Sequence, residues 1–166
     1  MKHTKSGMLA GALLANLLHA QAQSLSPAEL SALRADVQRI NSRLGKARRA
    51  RADIADQSAG GGKLTNFWRG KALLKSSAIY YGEMGQSSRE VWFRDGAPFF
   101  VFEQTRFYDR MLSGRVVKRE EKRYYLRDSR LLGWKLGSKW QNLSPVSRRA
   151  LEKEIANDKK NAKRAP

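Results

Sequence analysis

Arg89–Glu103, REVWFRDGAPFFVFE, is the stretch whose reading decides the fold. Two runs of β-branched and aromatic residues flank Asp95-Gly96. An Asp-Gly pair in that setting is the strongest short-range hairpin signal, because a type I′ turn needs φ > 0 at both central positions. A two-residue loop then sets the register: Arg94 opposite Ala97, Phe93 opposite Pro98, Trp92 opposite Phe99, Val91 opposite Phe100, Glu90 opposite Val101. Strict alternation puts Val91, Phe93, Phe100 and Phe102 on one face and Glu90, Trp92, Phe99, Val101 and Glu103 on the other. Both faces carry aromatics and both need cover, so the hairpin is predicted to lie at the centre of a sheet.

Outward from it, the chain is β-rich from Lys63 to about Trp140. Leu64–Arg69 and Ala72–Tyr81 read as a hairpin about Gly70, and Gly82–Ser88 as a loop. After a polar connection at Asp109–Gly114, Arg115–Arg127 and Arg130–Leu136 form a further hairpin. Lys122-Arg123-Tyr124-Tyr125-Leu126-Arg127-Asp128-Ser129 repeats the pattern of Arg89–Gly96, with a shorter echo at Asn66–Lys71. One hairpin unit reused at uneven spacing predicts a meander and not a solenoid.

Ser26-Pro27-Ala28-Glu29 opens a helix, with Ser26 as cap, Pro27 in the first helical position and Glu29 completing a capping box. Apolar residues at Leu30, Leu33, Val37, Ile40, Leu44 and Ala47 form a heptad seam, which predicts one long amphipathic helix within 23–57. That seam either lies on the chain's own sheet or pairs with a second copy as a coiled coil. A Gly-rich linker follows at 58–63. Ser144-Pro145 starts a second helix with a stripe of Val146, Leu151 and Ile155, and from Lys159 onward a basic tail has nothing to bury. The predicted fold class is α+β: a long N-terminal helix, an antiparallel β-meander of about six strands over 64–140, and over 144–166 a short C-terminal helix followed by a disordered basic tail from Lys159.

Met1–Gln23 has the pattern of a secretory signal peptide: basic Lys2 and Lys5, an apolar run Met8–Leu18, and an A-x-A-type site that places cleavage after Ala22. The run is well short of the ~20 residues that span a bilayer, which disfavours an uncleaved anchor. The expected location is the periplasm or the outside of the cell. The chain has no cysteine, and its histidines, His3 and His19, both lie in the leader. The mature chain therefore offers no Ser-His-Asp or Cys-His catalysis and no zinc site of the usual type.

Lys and Arg number 33 against 15 Asp and Glu, a net charge of +18; loss of Lys2 and Lys5 with the leader leaves +16. In an exported protein such charge points to an anionic envelope component (lipid, lipopolysaccharide or wall polymer) or an envelope protein as partner, and away from nucleic acid. A generally basic proteome is the competing explanation. The candidate anion-binding residues are Lys46, Arg48, Arg49 and Arg51, expected at a helix end, with Lys159, Lys160, Lys163 and Arg164 in the tail. Trp92, Tyr125 and Trp134 are candidate surface aromatics beside strand arginines. Glu83, Glu90 and Glu103 are the carboxylates set among aromatic strands. A glycan hydrolase would need two of them across a sugar, whereas ion pairs with strand arginines such as Arg123 explain them more simply. Gly60–Gly62 before Lys63 lacks the spacing and the following helix of a phosphate loop. A lysozyme-inhibitor role conflicts with the charge. The reading is a non-catalytic envelope module with no metal and no cofactor, self-association through the N-terminal helix being an alternative.

The order of motifs resembles a widespread group of exported bacterial β-sheet proteins with repeated aromatic-x-Asp-Gly hairpins. Its marks here are Gly60–Gly62, Gly82-Glu83-Met84-Gly85, Glu90–Gly96, Phe100-Val101-Phe102-Glu103, and Arg123-Tyr124-Tyr125 leading to Leu131–Trp134. The match covers roughly Gly60–Trp134, and Ser129 departs from it where the second turn usually carries Gly. The resemblance implies export and an antiparallel sheet and brings no catalytic residue or ligand. A likeness to MORN-type hairpin repeats is superficial, because the period is irregular.

Overall fold

The structure, a computed structural model, describes residues 24–55 and 58–164. The predicted leader and its cleavage site lie outside the described residues. Eight strands pair antiparallel in chain order: β1 (Arg48–Ile54), β2 (Gly62–Arg69), β3 (Ala72–Gly82), β4 (Gly85–Arg94), β5 (Ala97–Tyr108), β6 (Val116–Arg127), β7 (Arg130–Leu136) and β8 (Lys139–Gln141). Helix α1 (Pro27–Asn41) lies over one face of this meander and α2 (Pro145–Arg164) over the other.

The expected fold class is thereby corrected. Among the described residues the protein is mostly β, with eight strands where about six were expected and no long N-terminal helix. Helix α1 begins as its capping box dictates: Glu29 N donates to Ser26 Oγ (3.2 Å) and Ser26 N donates to Glu29 Oε2 (2.9 Å). It ends at Asn41, where the Ser42 amide donates to Gln38 O and the Ser42 hydroxyl to Arg39 O. Leu44–Lys46 then make only a 3₁₀ turn. The seam residues Leu44 and Ala47 continue the heptad by periodicity alone. From Arg48 the pattern is instead period two: Ala50, Ala52 and Ile54 turn inward while Arg49, Arg51 and Asp53 are exposed. Alternation, not the weak strand propensity of Ala and Arg, makes this a strand. The linker shrinks as well, since Gly62 already pairs with Ile54. The loop expected at Gly82–Ser88 is a tight turn at Glu83-Met84, with Gly85–Ser88 in β4.

The central hairpin turns at Asp95-Gly96 with φ of 50° and 75°, and its repeat turns at Asp128-Ser129 with φ of 51° and 65°. Both loops are thus two residues long with both φ positive, as a type I′ turn requires. One feature overturns the alternation expected beyond the turn. Trp92 pairs with Phe100 and Phe93 with Pro98, leaving Phe99 as an extra residue. The same bulge recurs at the same distance from the loop in both neighbours: Leu74 is extra in β2–β3 and Leu132 in β6–β7. A one-residue slip moves every later side chain to the opposite face. Val101 and Glu103 therefore join Val91 and Phe93 under α2, and Phe100 and Phe102 join Trp92 and Glu90 under α1.

The core lies between the sheet and α2. Val91, Phe93, Val101, Tyr124, Leu126 and Leu131 supply the sheet side, and Ile155 and Ala162, both at 0% exposure, supply the helix side. The chain from Lys159, expected as a disordered tail, continues as helix through Arg164. Its reason is Ala162, which fits the core and whose carbonyl accepts from Asn66 Nδ2 at 2.9 Å.

Candidate functional site

Strand β1 is an outer edge of the sheet, paired only with β2. Its arginines are all exposed. Arg48 stacks on Trp68 with 5.9 Å from Cζ to the ring centre, Arg49 on Phe67 at 5.7 Å, and Arg51 stands opposite Thr65. Lys46 is exposed just before them. Among the described residues none of the four has a carboxylate within ion-pair distance. The three arginines sit on an edge strand and not at a helix end, so dipole neutralisation does not explain them, while Lys46 closes the short 3₁₀ turn before it. Asn66, which bonds Ala162 O, is the β2 partner of Ala50. The last turns of α2 therefore lie one strand from the basic edge, on the face opposite Arg49 and Arg51, and Lys160 is exposed there. The side chains of Lys159, Lys163 and Arg164 lie outside the described residues.

Under α1 a single rung crosses the sheet: Arg49, Phe67, Lys75, Trp92, Phe100 and Tyr125 are successive partners from β1 to β6. Lys75 Nζ lies 4.3 Å from the centre of the Trp92 ring and 2.7 Å from Glu90 Oε1. Trp92 and Phe100 have ring centres 5.2 Å apart, Phe100 and Tyr125 5.5 Å, and Tyr125 and Trp140 of β8 5.3 Å. The β7 partner of Tyr125 is Gly133, whose missing side chain leaves Trp140 room to reach it. Burial pushes the Tyr125 phenol upward, with Arg123 and Arg34 pulling against it.

Of the three candidate aromatics, Trp92 and Tyr125 belong to this rung and are buried, so neither is a free surface residue. Trp134 is on the other face, stacked on Tyr124 at 5.7 Å, and its buried indole N–H has no partner among the described residues. The bulges, invisible to simple alternation, separate them.

The glutamates separate too. Glu83 is exposed in the β3–β4 turn, Glu90 bonds Lys75 under α1, and Glu103 lies under α2. No pair of them flanks a common space. Arg123, the expected partner, binds Glu121 and donates to Gly137 O at 2.9 Å. The partner of Glu103 is Arg89, which gathers three carboxylates: Glu103, Glu154 (2.9 Å) and Asp158, with Nη2 to Oδ2 at 3.0 Å. Tyr124 donates its hydroxyl to Glu103 Oε2 at 3.1 Å. This clasp fastens α2 to the sheet.

Burial pushes the Asp158 carboxyl up to about 6, and Arg89, shared among three acids, offsets that only in part. Unfolding returns the group toward 3.8, so the folded chain holds more protons between those values and is stabilised as pH falls through about 6. The melting temperature is expected to rise by roughly a few degrees from about pH 7 to about pH 5. Asp158→Asn should flatten that rise. A wild-type melting temperature that falls over this interval contradicts the assignment.

Among the described residues no cluster of ligating side chains can hold a metal ion, and no helix is long and apolar enough to cross a membrane. No family model matches the chain, and no curated protein or solved structure is significantly similar to it. Fold and site together define a class only: an antiparallel meander clasped between two helices, with a basic edge.

Proposed function

We propose that this chain is an exported, non-catalytic module that binds an anionic component of the cell envelope, such as anionic lipid, lipopolysaccharide or wall polymer. The observation that carries the reading is the row of Arg48, Arg49 and Arg51 on the outer edge strand β1, all exposed and without a carboxylate partner among the described residues. Export rests on the leader pattern of Met1–Gln23. Charges on an edge strand also discourage strand-on-strand association, a role that needs no ligand.

Sedimentation with anionic and with neutral vesicles separates the two roles. Binding to anionic vesicles should fall steeply as salt rises, since attraction is screened beyond about 8 Å at physiological ionic strength. Neutral vesicles should not bind. Equal binding to both, or binding indifferent to salt, counts against the reading.

Neither alternative gains from the geometry. The seam of α1 that would pair with a second copy is turned toward the chain's own sheet: Asn41 Oδ1 accepts from Trp92 Nε1 at 3.0 Å, Asp36 binds Arg94, and Glu29 binds Arg127 at 2.9 Å. A glycan hydrolase lacks an opposed pair among Glu83, Glu90 and Glu103.

A further inference from the structure

The two helices cover their faces unequally. Helix α2 seals the core with Ile155 and Ala162, but α1 has no buried residue at all. Its stripe of Leu30, Leu33, Val37 and Ile40 is only half-buried over the aromatic rung. Beneath it lies a cavity of about 480 Å³, walled by Leu30, Leu33 and Val37 and floored by Phe100 and Tyr125. That volume falls in the range of about 300–1,000 Å³ typical of small-molecule sites. From Leu30 to Val37 the helix rises about 10 Å, so the apolar wall is elongated.

The charged residues of this cavity are Arg34, Arg123 and Lys135, with no carboxylate among its lining. Arg123 is neutralised by Glu121. Arg34 and Lys135 have no carboxylate within ion-pair distance among the described residues, and Lys135 Nζ rests 4.5 Å from the centre of the Trp140 ring. Two uncompensated cations beside an elongated apolar slot match a ligand with an anionic head and an unbranched chain.

We propose that the groove between α1 and the aromatic rung binds a fatty-acid anion, its chain between Leu33 and Phe100–Tyr125 and its carboxylate on Arg34 and Lys135. This site is separate from the basic edge and goes beyond the envelope-binding reading. Helix α1 covers the groove and is held over it by Glu29 with Arg127, Asp36 with Arg94 and Asn41 with Trp92.

The test is calorimetric titration of the full chain with monomeric laurate, beside dodecyltrimethylammonium, which has the same chain and the opposite charge. Laurate should bind with one-to-one stoichiometry, at least tenfold more tightly than the cation. Arg34→Gln combined with Lys135→Gln should weaken laurate at least tenfold, and Leu33→Trp, which fills the slot, should abolish its binding while leaving the circular-dichroism spectrum unchanged. Absence of laurate binding, equal binding of the two amphiphiles, or indifference to Leu33→Trp in a folded variant overturns the proposal. A variant carrying Arg48→Gln, Arg49→Gln and Arg51→Gln should bind laurate as the wild type does, so failure here and failure of the edge reading are told apart.

Discussion

Replacing Arg89 with glutamine is expected to lower the unfolding free energy by about 3–4 kcal/mol. Removing one member of a buried ionic cluster leaves its partners charged and unpaired, which typically costs ~3–5 kcal/mol. The side chains of Arg89, Glu103 and Asp158 are 12%, 21% and 23% exposed, so their charges are poorly hydrated. Glu154, at 62%, faces water and adds little, which sets the figure at the low end of that range. Urea denaturation of Arg89→Gln beside wild type gives the number. Adding Asp158→Asn to Arg89→Gln should recover part of the loss, because it removes the charge that burial already disfavours. A single-variant loss below about 1 kcal/mol, the level of an ordinary surface pair, shows that the clasp does not hold α2.

The central hairpin was legible because Asp95-Gly96 carries its own conformational demand: few residue pairs accept φ > 0 twice. The repeat at Lys122–Ser129 was legible from its likeness to Arg89–Gly96, and Ser129 at φ 65° makes the turn without glycine. What lay beyond the turn was not legible. A bulge at Phe99 has no residue signature of its own when the neighbours are all bulky, yet it exchanges the faces of every later residue of β5. Trp92, Tyr125 and Trp134 look equivalent in sequence, and the bulges decide that two stack under α1 while the third packs under α2. The signal that was present is the repetition itself. Phe67–Lys75, Trp92–Phe100 and Tyr125–Gly133 have the same spacing across their loops, so one bulge in the repeat implies three.

Strand β1 was hidden differently. Leu44 and Ala47 happen to continue the heptad of Leu30–Ile40, and Ala-Arg alternation looks helical by propensity. The edge arginines were therefore identified as a cluster but assigned to the wrong element. The packing of the end of α2 beside this edge depends on one long-range bond, Asn66 to Ala162, between residues far apart in the chain and unremarkable in sequence. Buried Asn66 in a strand is the kind of residue that only a tertiary partner explains. The cavity under α1 was out of reach altogether, because an amphipathic stripe shows which face of a helix turns inward and not how tightly it seals.

Near an anionic membrane each basic residue contributes on the order of 1 kcal/mol, so Arg48, Arg49 and Arg51 together contribute about 3 kcal/mol, on the order of a hundredfold in affinity. All three are exposed and without a carboxylate partner among the described residues, so their replacement by glutamine removes only the stacking of Arg48 on Trp68 and Arg49 on Phe67 and should lower the melting temperature by no more than a few degrees. The decisive measurement is sedimentation of the Arg48→Gln, Arg49→Gln, Arg51→Gln variant with anionic vesicles at low salt, beside wild type. A folded variant whose affinity drops by about a hundredfold is the result this reading of β1 predicts. A folded variant that still binds within a few-fold of wild type contradicts it.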